Sequence, residues 1–222
     1  MTFSLVARDE SGAIGMVVTS SSPCVGARCI HLRSDVGGVA SQNITDPRFG
    51  DIILDSLASG DDATQALEKL LSHDSTVAYR QITVVDAAGR TAAHSGEHTL
   101  GRNRVVTSDG VVAAGNLLSN DSVPSRMLEA YESTAGDLEY RLLAALAAGE
   151  KAGGEEGDIA SCGLSVVREA GWRVTDLRID WHPKPIEALG ELLDVWMPQR
   201  DDYVTRGIHP ELAPSYGVPG DE

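Results

Sequence analysis

The feature that most constrains this chain is its beginning. Met1-Thr2-Phe3-Ser4-Leu5-Val6-Ala7-Arg8-Asp9 reads as a β-strand from the second residue on. Phe3, Leu5 and Ala7 alternate with Ser4, Val6 and Arg8, and Asp9-Glu10-Ser11-Gly12 supplies a hairpin turn. A strand that starts here ties the chain end into a sheet. Removal of Met1 would leave Thr2 first, with a hydroxyl and a free α-amine on one residue. Such an amine titrates near about 7.7–8.0, a useful range for a base at neutral pH. A threonine activated by its own amine is an established nucleophile–base unit. The plainer reading is that Thr2 simply opens an ordinary strand.

Hairpins recur along the chain. Residues 13–19 return from the first turn, 20–26 form a small-residue loop, and 28–34 and 37–42 read as two further strands. Asp46-Pro47 marks a helix start, with Phe49, Ile52, Ile53 and Leu57 on one face and Gly60 at its end. A second helix follows, capped by Asp61 or Asp62. Strands are expected at 82–86, 91–95 and 111–115, with a polar loop at 97–110. Helices from Asp121 or Ser122 and from Asp137 precede a flexible connector at 153–157. Strands at 161–169 and 172–180 and a helix after His182-Pro183 complete the pattern. The order of strands, helix pair, strands, helix pair, strands and helix predicts an α+β fold. Its expected form is a four-layer αββα sandwich of two antiparallel sheets. One domain is expected over 1–197, with 198–222 an irregular C-terminal tail.

Charge narrows the function. Of the 222 residues 33 are acidic and 18 basic, a net charge of −15, which disfavours nucleic acid and anionic membranes as partners. Cys24, Cys29 and Cys162 include no Cys-x-x-Cys pair, and the six histidines form no metal-binding pattern, so neither a metal nor another cofactor is expected. Reduced thiols, no basic leader at residues 1–9 and no long apolar run together lead us to expect a cytoplasmic protein.

Residues 1–9, Gly37-Gly38-Val39-Ala40-Ser41-Gln42, Gly115-Asn116 and Asp180-Trp181-His182-Pro183-Lys184-Pro185-Ile186 resemble a bacterial family. That family is known as a domain of unknown function, number ten-twenty-eight, of the N-terminal-nucleophile (Ntn) hydrolase superfamily. The resemblance covers about residues 1–197. A more distant likeness to proteasome β subunits implies roles for particular residues. Thr2 would be the nucleophile, and Arg28 stands in the slot of the lysine that lowers its pKa. Gln42 stands at the oxyanion-hole glycine, before the helix start at Asp46. Asp158-Ile159-Ala160-Ser161 has the spacing of the Asp–Ser pair that braces the N-terminus.

The resemblance implies an Ntn-type amidohydrolase acting on a small amide, with Thr2, Arg28, Asp158 and Ser161 as catalytic residues. Gln42, Asn43 and Asn116 are the candidates for the oxyanion site, and His94 and His98 for substrate contact. A homo-oligomer is expected from the habit of the superfamily and from the long tail. The chain departs from its relatives at Ser21-Ser22, at Glu97-His98-Thr99-Leu100 and at Asp158-Ile159-Ala160, which implies a divergent subgroup with a different ligand. Two other readings stand beside this one. One is a non-catalytic metabolite-binding or scaffold protein that kept the fold; the other is a cysteine enzyme using Cys24.

Overall fold

The computed structural model describes residues 2–218. It has two antiparallel sheets. Strands β1 (Thr2–Arg8), β2 (Ile14–Ser20), β7 (Arg104–Ser108), β8 (Val111–Asn116), β9 (Ser161–Val167) and β10 (Arg173–Ile179) form the larger, in the order β10-β9-β2-β1-β8-β7. Strands β3 (Ile30–Arg33), β4 (Gly37–Asn43), β5 (Arg80–Asp86) and β6 (Thr91–Ser95) form the smaller, in that order. The N-terminal strand is therefore central in its sheet, paired on both edges with β2 and β8.

Side-chain alternation sorts the sheets into layers. From β1, Phe3, Leu5 and Ala7 pack outward against helices α4 (Val123–Ser133), α5 (Leu138–Lys151) and α6 (Pro185–Trp196). Val6 packs inward with Met16, Val18, Ile30, Ala40 and Val85, residues drawn from both sheets. On the far side, Val39, Ile82 and Val84 pack against Phe49, Ile53 and Leu57 of α2 (Arg48–Ala58) and Ala66, Leu67 and Leu70 of α3 (Ala63–His73). The order is helices, sheet, sheet, helices. Because β1 and β2 are covered on both faces, they carry apolar residues at both parities, which local alternation alone would not require.

Four local differences from the expected pattern have physical causes. Val25–Cys29 is a short helix, α1, and β3 begins only at Ile30, so Arg28 lies on a helical turn and not on a strand. Helix α1 rests directly on β9, where Gly26 and Gly163 meet: a Cβ built on Gly163 would lie 2.9 Å from Cα of Gly26. Residues 104–108, expected as loop, form the edge strand β7, stabilised by pairing with β8. Helix α2 takes Pro47 as its N-cap, one residue later than expected, with Asp46 accepting from the Arg48 N–H at 3.1 Å.

The fourth difference lies in the tail, where Arg200–Ile208 forms helix α7. Its anchor is a buried charge cluster. Glu139, fully buried, accepts from Arg168 at 2.9 Å, Arg200 at 3.2 Å and the Thr175 hydroxyl at 2.9 Å. Tyr203 stacks on Trp196 with ring centroids 5.3 Å apart. The tail segment through this helix thus packs on its own chain. Among the described residues no helix is long and apolar enough to cross a membrane.

Candidate site at the amino end of the central strand

Thr2 pairs with Asn116 on β8 and is 4 % exposed. Continuing the β1–β2 register from Phe3↔Thr19 puts Ser20 on its other flank. Ser4, on the same face as Thr2, donates to Oε1 of Gln42 in the opposite sheet at 2.7 Å, so Thr2 also faces the space between the sheets.

At this end the inter-sheet layer turns from apolar to polar. Gln42 Nε2 donates to Gln81 Oε1 at 2.8 Å, and Asn116 Nδ2 donates to the same oxygen at 3.1 Å. Gln81 Nε2 in turn donates to the Gly115 carbonyl and to Ser95 Oγ, each at 3.0 Å. Gln42, Gln81 and Asn116 are fully buried, and Asn116 Oδ1 has no hydrogen-bond partner among the described residues.

The end of β1 is closed by a segment that sequence reasoning treated as a connector. Leu118 pairs with Glu155 in an isolated antiparallel bridge, and Glu156 N–H donates to the Leu117 carbonyl at 2.7 Å. Glu155 thus takes the place opposite Leu118 that a longer β1 would fill. Its carboxylate reaches the other flank, where Oε1 accepts from the Ser21 N–H at 2.7 Å. Glu155 is 4 % exposed, and Oε2 has no hydrogen-bond partner among the described residues. Burial pushes its carboxyl up from the ordinary value, and the hydrogen bond from Ser21 only partly offsets this. The sequence signal was present, an acid within Gly153-Gly154-Glu155-Glu156-Gly157, but nothing local marked it as buried.

The loop beside Thr2 is held by two of the expected residues. Ser161 donates to the Ser22 carbonyl at 2.6 Å and accepts from the Val25 N–H at 3.1 Å. Arg28 donates to the Pro23 and Cys24 carbonyls at 2.5 and 3.2 Å and to Ser22 Oγ at 3.0 Å; Ser22 Oγ lies 2.9 Å from Ser20 Oγ. Arg28 therefore reaches the strand position beside Thr2 through two hydroxyls.

The other candidates are more dispersed. Asp158 is exposed and lines a cavity of about 510 Å³ together with Ser21 and Glu155. Asn43 (φ 73°) donates to the Tyr79 carbonyl at 2.6 Å and accepts from the Leu100 N–H at 3.2 Å, which latches two loops together. His94 pairs with Ile82, whose side chain belongs to the outer core, so it faces away from Thr2; its Nε2 lies 3.0 Å from the Val77 carbonyl. His98 is exposed and packs on Tyr79 with ring centroids 4.6 Å apart.

The three thiols are unbridged. Cys24 precedes α1 in a left-handed conformation (φ 56°), with its N–H on the Asp180 carbonyl at 2.9 Å. Cys162 donates to the Pro185 carbonyl at 3.1 Å, and burial pushes its thiol up to about 12. Burial likewise raises Cys29, which lies 3.6 Å from Thr45 Oγ1. Among the described residues no group of His, Cys, Asp and Glu is arranged to hold a metal ion.

Fold and site together define a class: α+β proteins of two stacked antiparallel sheets, with a buried polar site and an adjoining cavity at the end of a central N-terminal strand. Residues 2–189 match the family described as a family of unknown function (DUF1028), and the chain belongs to that family. It is similar to the crystal structure of protein SPO2555 from Silicibacter pomeroyi, of the same family. The two share 34 % sequence identity, and the match covers 92 % of this chain and 90 % of that one with a TM-score of 0.85. No curated protein matches the chain.

Proposed function

We propose that this protein is an Ntn-type amidohydrolase whose αββα sandwich presents Thr2, freed of Met1, as the nucleophile. Met1 itself lies outside the described residues. The observation that carries the reading is the Glu155 carboxylate, laid across the amino end of β1 with one oxygen unpartnered among the described residues. A buried carboxylate at that point is what a free α-ammonium of Thr2 needs as a counter-ion. Glu155 then takes the amine-holding role that the resemblance to proteasome subunits implies for Asp158, and Asp158 lines the adjoining cavity.

In this reaction the Thr2 Oγ attacks the amide carbonyl carbon while the neutral α-amine takes the hydroxyl proton. The tetrahedral intermediate collapses as the C–N bond breaks and the same proton passes to the departing amine. Water then hydrolyses the threonyl ester by the reverse sequence of proton transfers, releasing the acid. Gln42 and Asn116 each give one amide N–H to Gln81 and keep a second. Asn116 Oδ1 is an open acceptor beside Thr2, suited to hold the leaving amine, and the oxyanion donors are these second amide N–H groups or main-chain N–H groups. Arg28 and Ser161 act by position: they fix the loop that walls the site.

The test begins with the intact mass of the purified chain, expected to lack Met1, followed by a screen of small amides. Thr2→Ala is expected to lower kcat by about 10³-fold or more, and Thr2→Ser to retain part of the activity. Full turnover by Thr2→Ala would discard the mechanism. Retention of Met1 with ligand binding and no turnover would mark a binding protein instead.

A further inference from the structure

The cavity bounded by Ser21 and Glu155, which close the amino end of β1, is lined by three carboxylates, Glu150, Glu155 and Asp158, and by Trp181 and His182; among the described residues it has no Lys or Arg in its wall. The acids lie on the last turn of α5 and on the segment that joins it to β9, so one stretch of chain forms this side of the cavity. One of them is buried to 4 % exposure, with an oxygen that no described residue satisfies. Trp181 is 68 % exposed and offers its indole to the same space. Lys184, two residues past His182, is spent on Glu187 at 2.8 Å, and Lys151, next to Glu150, lines a different cavity.

We infer that this cavity is a subsite for a small organic cation, an amine or guanidine, received between the carboxylates and the face of Trp181. Carboxylates supply charge, the indole supplies the aromatic face that prefers cations, and the negative charge of the whole chain draws such ligands in. An inorganic ion fits less well, because these acids do not come together as a metal-ligand group. A carboxylate-bearing ligand would meet the like charges of Glu150 and Asp158. The step from ligand to substrate rests on the proposed hydrolase reading: the scissile amide would then belong to a molecule carrying a basic group, placed so that the cation enters the cavity and the carbonyl faces Thr2.

The probes are n-butylammonium, butyrate and butanol, which share one chain and differ in charge. Each is titrated into the full ¹⁵N-labelled protein at equal ionic strength and followed by amide and indole shifts. Butylammonium is expected to shift Ser21, Gly157 and the Trp181 indole, with weaker or no response to the other two. Asp158→Asn and Trp181→Ala, both at exposed side chains, are each expected to weaken binding about 5-fold, and Thr2→Ala to leave it intact. Equal binding of butyrate, no response to butylammonium, or unchanged affinity in both cavity variants would overturn the inference. The two readings fail separately. Turnover of neutral and acidic amides as readily as basic ones sinks the cation subsite and spares the nucleophile. Cation binding with Thr2-independent or absent turnover does the reverse.

Discussion

The main-chain N–H of Ser21 donates to Oε1 of Glu155 at 2.7 Å, across 134 residues of sequence. That bond, with the Leu118–Glu155 bridge, closes the sheet over the end of its central strand. It places a desolvated carboxylate where the chain begins, and the surrounding loops are organised to keep it there.

Replacing that carboxylate should change how stability depends on pH. Burial raises the Glu155 carboxyl in the folded protein above its value in the unfolded chain. In the window between the two values the folded state holds more protons than the unfolded one, so stability falls as pH rises through it. Glu155→Gln keeps the shape and removes the charge. With no cation beside Glu155, the variant is expected to melt higher than the parent at neutral pH and equally at pH below about 4, where both states are protonated. Thermal melts across pH check this; a lower Tm for the variant at neutral pH would show that the charge is compensated. If Glu155 is the counter-ion of a free Thr2 α-ammonium, the same variant loses activity and stability together, because the charge is then compensated.

Gln81 is the hub between the sheets. Gln81→Ala would leave the amide groups of Gln42 and Asn116 without their shared acceptor and would open a small void. A loss of about 3 kcal/mol is expected, a fall in Tm of about 6–12 °C. Denaturant unfolding with the slope unchanged would confirm that the loss is one of native-state contacts.

The contact of Gly163 with Gly26 sets the position of the loop at 20–25. Gly163→Ala would place a methyl 2.9 Å from Cα of Gly26 and force α1 away from β9. The expected cost is about 1–3 kcal/mol, and Arg28 should lose its hold on Ser22. Kinetics on any substrate found should then show a larger loss than stability alone explains. A crystal structure of the variant with α1 undisplaced would contradict this.

Glu139 anchors the C-terminal helix from inside the protein. Glu139→Ala would leave Arg168 without its carboxylate and Arg200 with only Asp201 and the more distant Asp137, at a cost of about 3–5 kcal/mol. Amide hydrogen exchange should rise first in residues 200–208. If those amides exchange no faster, Glu139 is not the anchor and the tail is held by other contacts such as the Trp196–Tyr203 stack.

The sequence alone determined the periodic elements, because period and punctuation are local properties: β1 from residue 2, the hairpins, and the apolar stripes of α2, α3 and α6. It also singled out Thr2 as the residue to watch. What it could not decide were features made by distant partners. Arg104–Ser108 is a strand because β8 lies beside it, and Arg200–Ile208 is a helix that docks because Glu139 lies beneath Arg200. Asp158 and Glu155 stand three residues apart in an acidic, glycine-rich stretch, and local chemistry does not tell them apart. Only the bridge to Leu118 and the bond from Ser21 bury one and leave the other at the cavity wall, because burial is set by what the rest of the chain brings to a residue.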